Sequence, residues 1–224
     1  AIKLDPNSAD AHSNLGIILR ELGKLRELIG LSKSTIESKS INKEYKLIAS
    51  IRMTIAHLLR KNYSETLLGI KKTNHFIDQG VINNIRNKKN KKFTFHYSRF
   101  LNSLYPLLDK ENNYPDALKI PHFGESHCLS FAHQNLSIAS QIKKIQPVLI
   151  TGAKAWHFSN KKNNQWKDSL IQQMKNHNYS DEVFISFGEI DCRKHEGILT
   201  YTIKKNKNIS EVIETTVRGY LNFM

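Results

Sequence analysis

The chain has 224 residues, 39% hydrophobic and 24% charged, with 34 Lys and Arg against 20 Asp and Glu for a formal net charge of +14. This length accommodates one large domain or two modest ones, and no apolar run approaches the roughly 18 residues of a membrane span, the longest being Pro147-Val148-Leu149-Ile150. The opening Ala1-Ile2-Lys3-Leu4-Asp5-Pro6 holds neither an initiator Met nor the charged-then-apolar order of a secretory signal, so the expectation is a piece of a longer protein.

Residues 1–40 carry helical periodicity. Leu15, Ile18, Leu19 and Leu22 recur at i, i+3, i+4 and i+7, and Leu25, Leu28 and Ile29 continue after a break at Gly23. Ser8 and Asp10 suit the start of the first helix, and Gly23 supplies the turn into the second. Two short helices cannot bury their faces alone, so they stack against neighbours. These residues resemble tetratricopeptide repeats. Ala1 and Pro6 stand at the family's small and Pro positions, Asn14-Leu15-Gly16 matches its Leu-Gly pair, and Glu21-Leu22-Gly23-Lys24 is a typical turn. His12 departs from the usual aromatic and Leu28 from the usual Ala, and no clean Pro closes the unit after Ile36. The resemblance implies antiparallel helix pairs with Leu15, Leu19, Leu22 and Leu28 buried, Gly16 at a helix contact, a protein or peptide partner, and further repeats upstream.

Residues 44–60 and 63–78 read as two more amphipathic helices, through Ile48, Ile51, Ile55, Leu58 and Leu59, then Leu67, Leu68 and Ile70. The expected helical domain is 1–80. Residues 82–93 are polar, basic and aperiodic and mark a boundary, followed by a helix from Phe95 to Leu108 and a loop with Asn112, Asn113 and Pro115, so 81–118 is a basic linker with a connecting helix. Residues 1–80 carry 13 basic and 8 acidic groups, residues 81–119 carry 8 and 3, and residues 120–224 carry 13 and 9. Only Arg86, Lys88, Lys89, Lys91 and Lys92 are dense. Few aromatics interleave with them, and the Asn-, Ile- and Lys-rich composition is that of an AT-biased genome. A solvated linker is favoured over a nucleic-acid surface.

From Lys119 the pattern alternates. A strand, Lys119 to Phe123, ends at Gly124-Glu125-Ser126-His127, and a helix over about 129–143 follows. The second strand, Val148 to Ile150, ends at Thr151-Gly152, and a helix over about 164–177 follows. The third, Val183 to Phe187, ends at Gly188-Glu189-Ile190-Asp191, with a final helix over about 209–223. Alternation predicts a parallel sheet with its site at the carboxyl ends of the strands, where all three Gly turns fall.

These turns resemble the blocks of SGNH (GDSL-like) hydrolases. Gly124-Glu125-Ser126 matches the Gly-Asp-Ser block with Glu for Asp, Gly152 matches the second-block Gly, and Gly188-Glu189-Ile190-Asp191 falls where Gly-x-Asn-Asp belongs. The resemblance covers residues 119–224 and implies a flavodoxin-like, three-layer parallel α/β domain, truncated at its end. It also implies ester hydrolysis or acyl transfer on a carbohydrate or lipid-type ester, without a cofactor. Ser126 would be the nucleophile, the Ser126 and Gly152 N–H groups oxyanion donors, and Asp191 part of the catalytic set. Ile190 replaces the family's Asn donor, and nothing after Asp191 matches Asp-x-x-His, so little turnover is expected. The base lies beyond Met224, or a local His such as His127, His157 or His195 substitutes, or the domain binds a protein or glycan without catalysis. Glu125, His127, Trp156, His157, Gly188, Glu189 and Arg193 are the candidate substrate contacts, Trp156 as a platform for a sugar ring and Arg193 for an anionic group.

Cys128 and Cys192 are too few for a disulfide framework and suit a reducing cytoplasm. No His/Cys cluster has metal-ligand spacing, so no metal is expected. The convergence of Ser126, Gly152 and Gly188–Asp191 on one sheet edge, with the first strand between the other two, is the structural requirement of the whole reading.

Overall fold

The computed structural model describes Asp5 and residues 7–108, 117–176 and 182–224. The repeat end at Ala1 and Pro6, and the loop with Asn112, Asn113 and Pro115, lie outside the described residues. The chain divides into two compact units, Ala1–Pro115 and Asp116–Met224.

The first unit is helical. α1 (Ala9–Glu21) starts at Ser8, whose hydroxyl accepts the Ala11 N–H, and ends before Gly23, which holds a left-handed φ of 68°. α2 (Leu25–Glu37) returns, then come α3 (Lys43–Leu59) and α4 (Tyr63–Asp78), capped by the Asn42 and Asn62 side chains. α3 is the centre of this unit, with Leu47, Ile48, Ile51, Ile55 and Leu58 all buried. The inward face of α1 is His12, Gly16 and Leu19. The Arg52 guanidinium from α3 passes beside Gly16, where a Cβ would lie 3.1 Å from Nη1, and donates to the Ser13 carbonyl at 2.9 Å. His12 Nδ1 pairs with the Thr35 hydroxyl at 2.8 Å, which is how a polar ring occupies an inward position.

Two expectations are corrected here. Leu19 and Leu28 are buried, but Leu15 and Leu22 are exposed, as is Ile18. Periodicity defines a broad apolar arc, and only its Leu19 edge turns inward, with Arg52 beside Gly16 on that face. Lys88, Lys89, Lys91 and Lys92 are not in an irregular linker. A short 3-10 turn (Val81–Asn84) leads into α5 (Lys88–Leu108), where they form the first turns behind an Asn87 cap. α5 packs on α3 and α4 through Thr94, Ser98 and Leu101, with Val81 and Ile85 buried before it. The expected helix from Phe95 to Leu108 is its C-terminal part; the first turns, Lys88 to Lys92, carry no apolar residue and so give no periodic signal.

The second unit is a mixed four-stranded sheet of order β2-β3-β1-β4, built from β1 (Leu118–Gly124), β2 (Asn135–Ile138), β3 (Gln141–Leu149) and β4 (Phe184–Ser186). β1 is parallel to both β3 and β4, with Gly124 opposite Leu149 on one side and Ser186 on the other. The helix expected over 129–143 does not form. In its place a 3-10 helix (Ser126–Phe131) leads into the antiparallel β2–β3 hairpin. Its two-residue turn, Ala139-Ser140, has φ of 48° and 64°, a pair of left-handed residues that matches the twist of a hairpin. Ala-Ser carries none of the Gly or Asn signal of such turns.

This hairpin also removes the helix that a three-layer flavodoxin-like arrangement places between the first two parallel strands. α6 (Ala155–Ser159), α7 (Gln165–Lys175) and α9 (Ile209–Phe223) contribute Phe158, Leu170, Tyr220 and Phe223 to the core on Phe123 and Val148, one face of the sheet. α8 (Ile198–Lys205) precedes α9. By strand register the opposite face carries Leu136, Ile145, His122, Phe184 and Ser186, with Phe131 of the 3-10 helix beside His122. No helix of the described residues is long and apolar enough to cross a membrane.

Candidate functional site

The ends of three parallel strands bring the candidate residues to one edge of the sheet. β1 runs out at Gly124, whose carbonyl accepts the Ile150 N–H at 2.8 Å, locking the exit of β3 to it. A Cβ at Gly124 would lie 2.7 Å from both Cys128 Cβ and Ser186 Oγ, so the tight approach of the β1 and β4 ends requires glycine.

Glu125 follows, buried to 2% exposure, as the N-cap of the 3-10 helix. Its Oε2 accepts the His127 N–H and the Ser126 hydroxyl, each at 3.1 Å, and its Oε1 faces His127 Nδ1 at 2.8 Å. This is the hydrogen bond of the Ser126 hydroxyl; no histidine reaches it among the described residues. Ser126 is half-buried and opens the 3-10 helix. Cys128 behind it is buried, its thiol pushed up to about 12 by burial and then by Glu125, so it packs as an inert group.

From β4 come Ser186, Gly188 and Glu189. His122 Nε2 and the Ser186 hydroxyl are 2.7 Å apart, and burial holds the His122 imidazole below its ordinary range against the opposing pull of Glu125. Gly188 takes a φ of 132°. Glu189 Oε2 stands 3.6 Å from His127 Nδ1, so the β1 and β4 turns meet through side chains. Arg193 grips Glu189 with Nη2 at 2.7 Å and Nε at about 3 Å, and Glu196 with Nη1 at 3.0 Å. Arg193 is thereby engaged within its own turn.

The segment after β3 meets Asp191. Its buried carboxylate accepts the N–H of Ala155 at 2.8 Å and of Trp156 at 3.3 Å, so it caps α6 from a different strand end. Burial raises its pKa, opposed by these two backbone N–H groups and by Lys154. Ile190 is buried and presents no donor. His157 is also structural in its contacts: it stacks on Trp166 at 3.5 Å, and its Nδ1 accepts the Lys154 N–H at 3.0 Å. Burial, then Lys154, pushes its imidazole down to about 4, so it is neutral.

Gly152 is exposed on the turn after β3 with φ of 70°, and His195 is exposed on the turn before α8. Trp156, with Lys154, Asp191, Tyr201 and Val212, lines a hollow of about 170 Å³. A larger hollow of about 550 Å³ lies over the hairpin side of the sheet, polar at the strand ends (Glu125, His127, Glu189) and apolar inside through Phe131, Phe184 and Phe187. Ser126, Gly152 and His195 line neither hollow; Ser126 stands between Glu125 and His127, which line the larger one.

His122 and Ser186 are site residues that sequence reasoning missed. Both sit inside strands, where a lone His or Ser gives no motif, and only the β1–β4 register pairs them. Likewise Glu189 joins Glu125 and His127 only in three dimensions. Their ligand atoms all lie within 4.8 Å of one another.

No curated protein and no solved structure matches the chain. Residues 1–28, the segment that holds α1 and the start of α2, match the family model of the tetratricopeptide repeat.

Proposed function

We propose that the second unit performs ester chemistry, hydrolysis or acyl transfer on a carbohydrate- or lipid-type ester, with Ser126 as nucleophile, while the first unit holds a protein or peptide partner. One observation carries the ester reading: β1, which delivers Ser126, runs parallel between β3 and β4, which deliver the Gly152 turn and the Gly188–Asp191 segment. This strand order supports the reading, although the β2–β3 hairpin departs from the three-layer pattern, and ligands of parallel strands bind outside their carboxyl ends. The apolar walls of the larger hollow suit an acyl chain, and Glu125 Oε2, 3.1 Å from the Ser126 hydroxyl, is the acceptor in place for its proton. Turnover is slow on this reading, because Ile190 offers no oxyanion donor, a loss of about 10²–10³ in rate. The match of residues 1–28 to the tetratricopeptide repeat supports the protein-binding role of the first unit.

The test is hydrolysis of short-chain p-nitrophenyl esters by the wild type beside Ser126→Ala. Slow turnover that disappears in the variant is expected. Equal rates in both proteins remove Ser126 as nucleophile. One observation favours a binding role without turnover instead: Asp191 and His157, two groups available for acid–base work, are occupied in holding α6.

A further inference from the structure

The grouping of Glu125, His127 and Glu189 has a geometry of its own. A zinc ion with ligands at about 2.0–2.1 Å in a tetrahedral arrangement sets its donor atoms roughly 3.3 Å apart. His127 Nδ1 lies 2.8 Å from Glu125 Oε1 and 3.6 Å from Glu189 Oε2, on either side of that spacing, and all three donors fall within 4.8 Å. One imidazole with two carboxylates is a donor set for a borderline divalent cation rather than for calcium or magnesium, which take oxygen alone.

We propose that Glu125, His127 and Glu189 bind a zinc ion at the mouth of the larger hollow. The two carboxylates are already oriented by further partners, as metal ligands characteristically are. Glu125 Oε2 holds the Ser126 hydroxyl and the His127 N–H, and both Glu125 oxygens stand 2.8 Å from His127 Nδ1, a contact that the cation would replace. Glu189 is braced by the Arg193 guanidinium, whose charge also offsets the two gathered carboxylates. His127 gives Nδ1 as lone-pair donor, with its ring proton on Nε2, and half of its side chain stays open to solvent. All three residues line the same hollow, so a fourth coordination position faces the space in which a substrate sits, the pattern of a working rather than a purely structural zinc.

The site rests on the ester reading for its use. A cation held by these residues would supply the positive charge toward an ester carbonyl that the missing Asn donor at Ile190 does not. It also stands beside Ser126, which shares the Glu125 carboxylate.

The experiment is zinc titration of the metal-stripped chain by calorimetry, with cobalt substitution read by its visible absorption. One zinc per chain is expected, with the absorption of four- or five-coordinate cobalt. His127→Ala and Glu189→Gln, both at exposed positions, are expected to weaken binding by about tenfold or more, and His195→Ala, on an exposed turn, to leave it unchanged. Zinc binding that survives both His127→Ala and Glu189→Gln, or that His195→Ala abolishes, overturns the proposal. No substrate enters this measurement. Zinc bound without Ser126-dependent turnover therefore keeps the site and removes the ester reading, and turnover without zinc binding removes the site alone.

Discussion

Replacing Asp191 by Ala removes the acceptor that serves both N–H groups at the start of α6. The Ala155 bond is 2.8 Å to a carboxylate, worth about 1.5–3 kcal/mol, and the 3.3 Å Trp156 bond is worth about 0.5–1.5 kcal/mol. Removing the carboxylate also relieves the cost of burying it, which is what raises its pKa, so the net loss falls toward the lower end, about 2–3 kcal/mol. For a unit of this size each kcal/mol shifts the melting midpoint by about 4–8 °C, so a fall on the order of 10–20 °C is expected. The chain has two tryptophans, Trp156 and Trp166, and both belong to the second unit, so a fluorescence melt reports that unit alone. Asp191→Asn keeps one acceptor oxygen and turns a donor toward the other N–H, so its midpoint should fall between wild type and Asp191→Ala. A midpoint for Asp191→Ala within about 2 °C of wild type refutes the capping role and returns Asp191 to the catalytic candidates.

Acid should act on the same unit through His157. Its folded imidazole is pushed down to about 4 from 6.5, so its stabilising contribution is complete above pH 6.5 and is lost as the pH falls toward about 4. Asp191, shifted upward mainly by burial, works in the opposite sense: its contribution is present below the ordinary carboxylate value of 3.8 and is lost as the pH rises through the raised folded value. Fluorescence melts across this range should show a drop in the wild type that His157→Phe flattens, and identical slopes in the two proteins contradict the assignment. In the first unit, Gly69→Ala should destabilise despite the gain of about 1 kcal/mol in helix propensity. A Cβ there would sit 2.3 Å from Thr54 Oγ1, which is committed to the Ser50 carbonyl at 2.7 Å. Overpacking of about 1–3 kcal/mol outweighs the propensity. Far-UV circular dichroism melts of Gly69→Ala and of the Thr54→Ala double variant check this: a stabilised single variant, or no recovery in the double, is the contrary result.

What the sequence carried was local. Ser8 and Gly23 mark the start of α1 and the α1–α2 turn, and each Gly turn of the second unit follows a strand, as a reading of neighbouring residues expects. The hairpin was invisible because Ala139 and Ser140 adopt left-handed conformations that their side chains do not advertise. α8 went unread because Ile198–Lys205 is barely two turns with a largely exposed surface. On α1 the apolar arc was plain, but which edge of it faces inward is set by the helices it packs on, not by its own sequence. In the site, Glu125, Ser126 and His127 were legible as one motif. Their pairing with Glu189, and that of His122 with Ser186, follows from strand register, which hydropathy does not encode.

Much of the second unit's chemistry hangs from β4. That strand is three residues long, lies at the edge of the sheet and is registered against β1 only at His122, Phe123 and Gly124. So short an edge discourages pairing with other molecules, but it also makes the strand the easiest part of the sheet to fray. Fraying of this kind costs less than global unfolding, since local openings draw on the low end of a protein's stability range. Were β4 to open, Ser186 and Glu189 would leave with it, while Asp191 is also tied to α6 through the Ala155 and Trp156 N–H groups. A ligand that bridges the β1 and β4 turns holds the strand in place. Its apparent affinity would fall in proportion to any undocked fraction of β4.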